Sequence, residues 1–316
     1  MNILITGGCG YKGTELSEQL AIKHNISVID TQWFGNFIKN PKINIIKQDI
    51  RELDSKYLKN IDTVIHLANI ANDPGVDLNP VLSWEVNVLA SQKLIENCIK
   101  NKVKNFIFAS SGSVYGVKEE PEVTEDLDLV PISTYNKTKM TAERVMLSYK
   151  DDINIHIIRP ATVCGYSRRM RLDVSVNMFV FQALMNKKMT IFGGSQVRPN
   201  IHIKDINNVY EYFIENPTIK YGIYNAGFEN LSLLEIADKI KSIIGNDIEI
   251  IITKSNDIRS YRLNSDKLLS TGFKKKYNVD IAINDIITKF ENNELKDSDE
   301  FYTVKWMKKL KLDEIS

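Results

Sequence analysis

The sequence predicts an α/β protein with a doubly wound, mostly parallel sheet and a smaller, mixed α/β lobe. Short apolar runs alternate with stretches of helical periodicity in the first half, which is typical of parallel strands covered on both faces by helices. A glycine-rich segment directly follows the first strand. After Gly165 the alternation loosens, which indicates a second region of mixed structure.

The first half, residues 1–164, is predicted to form the doubly wound part. Strands are expected at residues 3–6, 26–30, 43–48, 63–68, 105–110 and 155–159, and helices at 13–24, 80–101 and 133–149. Because crossovers between parallel strands are right-handed, this order of elements favours the doubly wound arrangement.

The second half is predicted to form the smaller lobe from residues 165–201 and 231–290, with residues 202–230 returning to the large sheet. Helices are expected at 174–186, from 205, at 231–244 and at 280–290, and strands at "MTIFGG", "GIYNAG" and "IEIII". Residues 291–316 are expected to form a charged tail, and Trp306 indicates that this tail docks on the rest.

The composition and charge of the chain narrow the set of possible functions. The 316 residues carry a formal net charge of +1, which argues against nucleic acid or an anionic membrane as partner. No run approaches the roughly 18 apolar residues of a membrane span, and the N-terminus lacks signal-peptide features. Cys9, Cys98 and Cys164 lack metal-ligand spacing and are expected to be free thiols. We therefore expect a cytoplasmic protein without a metal site.

The segment "ITGGCGYKG" places Gly7, Gly10 and Gly13 between the first strand and the first helix. Glycine allows a sharp turn and close approach of a diphosphate, to which the helix N-terminus offers free N–H groups. Asp30 ends the second strand, where a carboxylate accepts hydrogen bonds from ribose hydroxyls and repels a 2′-phosphate, unless it only caps a turn. The pattern predicts a Rossmann dinucleotide site that prefers NAD to NADP. Lys12 is expected to point to solvent, with a phosphate contact as the alternative.

Hydroxyl groups in "ASSGSVYG" follow the fifth strand, and "TYNKTK" places Tyr135 and Lys139 on one face of the next helix, capped by Ser133 or Thr134. A nearby ammonium and a cationic nicotinamide ring would lower the pKa of Tyr135 from its ordinary value of about 10. Ser111 lies where ligands bind in parallel sheets. These groups predict proton removal from an alcohol while NAD accepts hydride. A chance Tyr-x-x-x-Lys pair is the alternative.

The chain resembles the extended short-chain dehydrogenase/reductases of the nucleotide-sugar epimerase/dehydratase family, from Met1 to about Phe290. The motifs that carry the resemblance are "TGGCGYKG", "VID", "QDIRE", "HLAN", "ASSGSVYG", "YNKTK", "RPATVCGY" and "RPNIHIKD". The resemblance implies NAD as cofactor and a nucleoside diphosphate sugar as substrate. It also implies a homodimer formed through two helices per subunit, here residues 80–101 and 133–149.

The resemblance also implies roles for individual residues. Ser111, Tyr135 and Lys139 would be the catalytic hydroxyl, base and lysine. The cofactor contacts would be Gly7, Gly10, Tyr11, Lys12, Gly13, Asp30, Asp49, Ile50, Leu67, Ala68, Asn69, Asn87, Tyr135, Lys139, Pro160 and Thr162, with Asn87 mainly a buried support. The substrate contacts would be Ser113, Tyr115, Asn177, Arg198 and Arg259, of which the two arginines would meet the diphosphate.

Three further arginines, Arg168, Arg169 and Arg171, lie in "YSRRMRLD" and are predicted either to line the phosphate or sugar site or to stay on the surface. His202 is expected to be a structural residue of its strand. Cys164 replaces a tyrosine that is common in the family and is expected to be a buried, inert thiol.

The predicted reaction begins with oxidation of the sugar at C4 by NAD. A 4-epimerase is the first prediction, in the synthesis of sugars for surface polysaccharides, and a 4-dehydrogenase or 4-ketoreductase is the rival. Gly112 and Ser113 follow Ser111 where 4,6-dehydratases have an Asp-Glu pair, which disfavours dehydration. A non-catalytic, dinucleotide-binding regulator is a third possibility, disfavoured because Tyr135 and Lys139 are both present.

Overall fold

A computed structural model of the chain describes residues 1–254 and 260–314. The strands are β1 (Asn2–Thr6), β2 (Asn25–Asp30), β3 (Asn44–Lys47), β4 (Thr63–His66), β5 (Asn105–Ala109), β6 (Asn154–Pro160), β7 (Thr162–Cys164), β8 (Lys188–Phe192), β9 (Val197–His202), β10 (Gly222–Ala226), β11 (Glu229–Ser232) and β12 (Glu249–Thr253).

The α-helices are α1 (Tyr11–Leu20), α2 (Asp73–Leu78), α3 (Pro80–Trp84), α4 (Ala90–Lys100), α5 (Thr134–Leu147), α6 (Ser175–Asn186), α7 (Ile203–Glu215), α8 (Leu233–Ile244), α9 (Asp266–Ser270), α10 (Val279–Glu291) and α11 (Thr303–Lys309). Short 3₁₀ helices span Ile50–Glu52, Ser55–Leu58, Gly112–Tyr115 and Asp299–Phe301. A π-helical turn, Glu85–Leu89, joins α3 to α4, so the helix predicted at 80–101 is present but locally widened.

The large sheet has seven parallel strands in the order β3-β2-β1-β4-β5-β6-β10. The predicted fold class is therefore confirmed. Strand order reverses at β1 and β4, and in such sheets ligands bind beyond the carboxyl ends of the strands at this point. Strand β10 brings residues 222–226 back beside β6. The exact boundaries of the two lobes stay a prediction.

Both faces of the large sheet are buried. Successive side chains of a strand point to opposite faces. In β1, Ile3 and Ile5 accordingly pack into one apolar cluster and Leu4 into another. A third cluster lies between α6, α8 and α10, beside the small sheets β11-β9-β7 and β12-β8. These clusters fix the loops at the carboxyl ends of the strands, where the predicted site lies.

The C-terminal residues dock on the first half of the chain. The Trp306 indole N–H donates to the Trp33 carbonyl at 2.5 Å, and the Asn79 side chain donates to the Leu312 carbonyl at 3.1 Å. Met307 is buried in the same cluster as Leu4. Within residues 1–254 and 260–314, no helix combines the length and the apolar character that crossing a membrane requires.

Candidate active site

A cavity of about 610 Å³ opens at the carboxyl ends of the parallel strands. Most of the predicted site residues line it: Gly7, Gly10, Tyr11, Lys12, Gly13, Asp30, Asp49, Ile50, Leu67, Ala68, Asn69, Ser111, Ser113, Tyr135, Pro160, Thr162 and Arg198. Residues from both halves of the sequence therefore meet around one cavity.

The glycine loop has no room for larger side chains. Gly7 has a φ of +73°, and a Cβ there would lie 2.5 Å from the Ala68 nitrogen. A Cβ on Gly13 would lie 2.5 Å from the Gly7 carbonyl oxygen. Gly10 is the N-cap of α1, whose first-turn N–H groups and positive dipole end favour a phosphate at the cavity wall. This cradle fits the diphosphate of a dinucleotide.

Asp30 presents a carboxylate to the same cavity. One oxygen accepts the Cys9 N–H at 3.0 Å, and the other accepts the Gln32 N–H at 2.7 Å. Burial is the main cause that raises the pKa of Asp30, and these two hydrogen bonds oppose it. Each carboxylate oxygen has a second lone pair, so Asp30 can still accept hydrogen bonds from ribose hydroxyls.

Lys12 faces the cavity, so the expectation that it points to solvent is wrong. Its Nζ lies 3.3 Å from the Tyr210 hydroxyl of α7. Burial, followed by the positive charge of Arg171, lowers the pKa of Lys12 to about 8. Its position beside the glycine loop favours the alternative prediction, a contact with phosphate.

Hydroxyl groups form a chain that ends at Tyr135. Ser113 Oγ donates to Asn136 Oδ1 at 2.7 Å, and Ser111 Oγ lies 2.8 Å from Ser113 Oγ. Ser111 and Tyr135 line the same cavity, and Ser111 lowers the pKa of Tyr135. Because Ser113 donates its proton to Asn136, its oxygen can accept a hydrogen bond from the Ser111 hydroxyl. The Ser111 oxygen can then accept a hydrogen bond from the Tyr135 phenol, and the Ser111 hydroxyl can also rotate to donate to a phenolate. Ser133, not Thr134, caps α5 and accepts the Asn136 N–H.

Lys139 lies one turn after Tyr135 but does not line the cavity. Its Nζ donates to the Ala109 carbonyl at 2.6 Å and lies 4.4 Å from the centre of the Phe108 ring. Burial, then the positive charge of Lys12, lowers the pKa of Lys139 to about 7, while Glu143 acts in the opposite direction. Lys139 thus ties α5 to the end of β5.

The pKa of Tyr135 is raised to about 12, which differs from the value that the sequence argument expects. Burial is the largest cause, the Ser111 hydrogen bond lowers the pKa, the charge of Asp73 raises it and that of Arg171 lowers it. Burial therefore outweighs the cations that the protein itself supplies. A cationic nicotinamide beside the phenol would act in the lowering direction.

Asn87 supports the site from within the core, as predicted for a mainly structural residue. Its Oδ1 accepts the Ile70 N–H at 2.8 Å, and its Nδ2 donates to the Ile70 carbonyl at 3.2 Å and to the Thr138 hydroxyl at 3.1 Å. Asn87 lies within the π-helical turn, a feature that often occurs at functional sites. It joins the loop after β4 to the helix of Tyr135 and does not line the cavity.

Two predicted substrate contacts are not at the cavity wall. Tyr115 is fully buried, because the 3₁₀ helix Gly112–Tyr115 turns its side chain into the core, where its hydroxyl donates to Asn225 Oδ1 at 2.8 Å. Asn177 is also fully buried; its Nδ2 donates to the Tyr11 hydroxyl at 3.0 Å and its Oδ1 accepts the Gly165 N–H. We therefore remove both from the set of substrate contacts.

The predicted arginines divide into three groups. Arg198 lines the cavity, whereas Arg259 lies outside the described residues. Arg168 forms ion pairs with Glu15 and Glu18 on α1 and does not line the cavity, while its neighbours Arg169 and Arg171 do. Of the three arginines in "YSRRMRLD", the structure therefore places Arg169 and Arg171 at the cavity and Arg168 outside it.

Other cavity residues were not singled out from the sequence. Asp73 begins α2, and Thr303 and Met307 come from the C-terminal segment. None of them follows a recognisable motif, because tertiary packing brings them to the site. His202 caps α7 by accepting the Lys204 N–H, and Cys164 is fully buried, in agreement with their predicted structural roles.

The fold and the cavity define a class of protein, a Rossmann enzyme with a serine, tyrosine and lysine beside a dinucleotide cradle. The model of the NAD dependent epimerase/dehydratase family matches residues 3–227 of the chain. The chain belongs to this family, and its cofactor is NAD.

Known relatives and solved structures agree with this family assignment. An uncharacterised UDP-glucose epimerase of Bacillus subtilis is 31% identical over 78% of this chain and 83% of its own length. The UDP-glucose 4-epimerase of Lactobacillus helveticus is 28% identical over 77% of this chain and 82% of its own. The structure of a UDP-glucuronic acid 4-epimerase from Bacillus cereus, in complex with UDP-glucuronic acid and NAD, has a TM-score of 0.82 and 28% identity and covers 93% of this chain and 100% of its own.

Asp30 should determine the choice between NAD and NADP. We expect Asp30→Asn to bind NAD about tenfold more weakly, because hydrogen bonds to the ionised carboxylate are lost, and to discriminate less against NADP. Titration calorimetry with both cofactors measures this. Asp54→Asn is the matched control, since Asp54 pairs with Lys56 and does not line the cavity. An unchanged NADP-to-NAD ratio in Asp30→Asn would contradict the assignment.

Proposed function

We propose that the protein is a nucleotide-sugar 4-epimerase that oxidises C4 of a UDP-sugar transiently and works in the synthesis of sugars for surface polysaccharides. The observation that carries the proposal is that Ser111 and Tyr135 line the same cavity as the glycine loop. The names of the relatives support the UDP-sugar. Bound NAD supplies the hydride acceptor for the oxidation.

The residues of this chain have separate tasks in the proposed reaction. Tyr135, as the phenolate, takes the proton of the C4 hydroxyl and becomes a phenol, while Ser111 holds the same hydroxyl. Lys139 fixes the helix of Tyr135 against β5 through the Ala109 carbonyl. Arg198 lies at the cavity wall, where a guanidinium can bind the diphosphate. Tyr135 would return its proton to the C4 oxygen as the hydride held by the cofactor is given back to the opposite face of C4, which yields the 4-epimer.

The test is an assay of the purified holoenzyme with UDP-, GDP- and CDP-sugars, with and without added NAD. Conversion to the 4-epimer without net NADH supports the epimerase. Stoichiometric NADH would instead support the 4-dehydrogenase. No conversion of any sugar, with NAD fully bound, would contradict both and favour a dinucleotide-binding regulator.

We also propose a homodimer through the helices at residues 80–100 and 134–147. The first of these exposes three large apolar side chains, Val81 (65% exposed), Leu89 (60%) and Trp84 (36%). Burying such side chains is worth about 1.5–3 kcal/mol each, which is enough to drive association when several act together. A second copy of the same helix would provide the complementary apolar surface.

Leu89→Glu should therefore weaken the dimer by at least about tenfold, because a carboxylate replaces an apolar contact. Sedimentation equilibrium measures the dissociation constant. Ile22→Glu is the matched control, since Ile22 is 81% exposed and lies at the end of α1, away from this surface. Equal dissociation constants for wild type and Leu89→Glu would refute the interface.

A further inference from the structure

Tyr11 and Asn177 form a buried link between the two halves of the chain, and the proposed function gives this link no task. Tyr11 is the first residue of α1, directly after the glycine loop, whereas Asn177 lies in the first turn of α6. The Tyr11 hydroxyl donates to the Gly165 carbonyl at 2.6 Å and accepts from Asn177 Nδ2 at 3.0 Å. Tyr11 is 7% exposed and Asn177 is fully buried. Water therefore does not compete for these hydrogen bonds.

The side-chain amide of Asn177 connects the link to the arginine-bearing segment that follows Gly165. Its Nδ2 also donates to the Arg171 carbonyl at 3.0 Å, and its Oδ1 accepts the Gly165 N–H at 2.9 Å. A carbonyl only accepts and a backbone N–H only donates, so these two partners determine the orientation of the amide. Asn177 thus holds the backbone at Gly165 and at Arg171, and with it the segment between them.

The ring of Tyr11 strengthens the same connection by packing into the third apolar cluster. Among the residues that the structure describes, the other buried members of this cluster lie between Cys164 and Phe301. A buried tyrosine whose hydroxyl has hydrogen-bond partners is held by packing and by polar contacts together. Tyr11 therefore belongs to the glycine loop through its backbone and to the second half of the chain through its side chain.

The segment that the link holds forms part of the cavity wall. Arg169 and Arg171 line the cavity, and Arg171 is oriented by Asp173, whose Oδ1 accepts its Nε–H at 2.8 Å. Gly10 and Tyr11 line the cavity from the glycine loop. A guanidinium is the side-chain group best suited to bind a diphosphate. The hydrogen bonds of the link thus run without interruption from the cofactor cradle to the segment that carries these arginines.

We propose that Tyr11 and Asn177 are positioning residues that couple the two ligands of the cavity, so that bound NAD strengthens the binding of the nucleotide sugar. This inference rests on the proposed nucleotide-sugar substrate, whose diphosphate would meet the arginine-bearing segment. A dinucleotide diphosphate bound at the first turn of α1 fixes the backbone of Tyr11, and the link then holds that segment in its binding position before the sugar arrives. Thermodynamic linkage makes the effect reciprocal, so the nucleotide sugar must also strengthen the binding of NAD.

The test follows the exchange of bound NAD for radiolabelled NAD in the purified holoenzyme, with and without UDP. Because affinity differences between related complexes reside mostly in the dissociation rate, UDP should slow this exchange about tenfold in the wild type. Tyr11→Phe keeps the ring but removes the hydroxyl that binds Gly165 and Asn177. In this variant we expect UDP to slow the exchange by no more than about twofold.

Tyr115→Phe is the matched control for this exchange experiment. It also removes a buried tyrosine hydroxyl, which donates to Asn225 Oδ1 at 2.8 Å away from the cavity. We expect this variant to be less stable than the wild type but to keep the full slowing by UDP, because the link is intact. If it lost the coupling as far as Tyr11→Phe does, general destabilisation would account for the effect and the proposal would be overturned.

Two further results would overturn the proposal. One is an exchange rate in Tyr11→Phe that UDP slows as strongly as in the wild type. The other is UDP that binds the wild-type holoenzyme in calorimetry without slowing the exchange. Failure of UDP to bind the wild type at all would instead contradict the proposed UDP-sugar substrate, so the two failures are distinguishable.

Hydrogen exchange of the wild-type holoenzyme gives a second measurement that needs no variant. UDP should slow amide exchange in residues 165–177 and also in the first turn of α1, because the link joins the two. Protection that stays confined to residues 165–177 would show that the link transmits nothing and would overturn the proposal.

Discussion

Tyr135→Phe is expected to lose about a thousandfold in kcat while NAD remains bound. The phenolic hydroxyl is the only group lost, and general acid–base catalysis by one positioned group contributes on the order of 10²–10⁴ in rate. The ring still fills its place on α5, so the cavity keeps its shape. The measurement is kcat on the sugar that the panel assay identifies, with bound NAD quantified by absorbance.

The matched control is Tyr115→Phe, which removes the hydroxyl of a tyrosine that the sequence also placed at the site. Tyr115 is buried away from the cavity, and its hydroxyl accepts from Arg159 at 2.7 Å. We expect this variant to lose about 1–3 kcal/mol of unfolding free energy, because buried polar partners are left unpaired, with little change in kcat. Near-full activity in Tyr135→Phe would remove the proposed base.

The sequence predicts those parts of the site whose chemistry depends on local spacing. The glycine loop, the acidic end of β2 and the Tyr135–Lys139 pair each lie within one strand, loop or helix turn. A parallel sheet then places the carboxyl ends of its strands at one edge, so local motifs converge on a common cavity. The seven-stranded sheet can also be predicted, because the alternation of apolar runs and helical stretches is a local pattern of the sequence.

The sequence does not predict the contacts that depend on tertiary packing. Thr303 reaches the cavity because Trp306 docks on the Trp33 carbonyl, and no local pattern encodes that partner. Tyr115 and Asn177 follow family motifs but are turned into the core, where Asn225 and Tyr11 bind them. Motif position identifies the segment near a site, whereas the direction of a side chain depends on the turn that precedes it.

The same limit applies to electrostatics. A tyrosine and a lysine one helix turn apart predict a lowered pKa for the phenol, yet the pKa of Tyr135 is raised to about 12. Tyr135 is partly buried and Lys139 is buried, and burial disfavours the charged form of each. The sequence identifies which charges are neighbours but not how far water is excluded from them.

Arg159→Met is expected to destabilise the fold by about 3–5 kcal/mol. Arg159 and Glu143 are 2% and 1% exposed, and Arg159 Nη2 lies 2.7 Å from Glu143 Oε2. Glu143 also accepts the Ser110 hydroxyl, so the pair connects α5 to the ends of β5 and β6. Removing the guanidinium leaves a buried carboxylate without its cation. This costs far more unfolding free energy than the intact ion pair contributes on balance. Urea unfolding measures the loss.

The double variant Arg159→Met with Glu143→Leu separates the cost of an unpaired buried carboxylate from the net contribution of the ion pair to stability. It replaces both charges by apolar groups of similar size, and such replacements of buried ion pairs are often neutral or stabilising, so we expect most of the lost stability to return. Lys239→Met is the control for an exposed pair, since Lys239 and Asp280 are 33% and 43% exposed, and its unfolding midpoint should stay near that of wild type. If the double variant were as unstable as Arg159→Met, the ion pair itself would be stabilising. Recovery would mean that the pair chiefly orients α5, the helix that holds Tyr135 over the cavity.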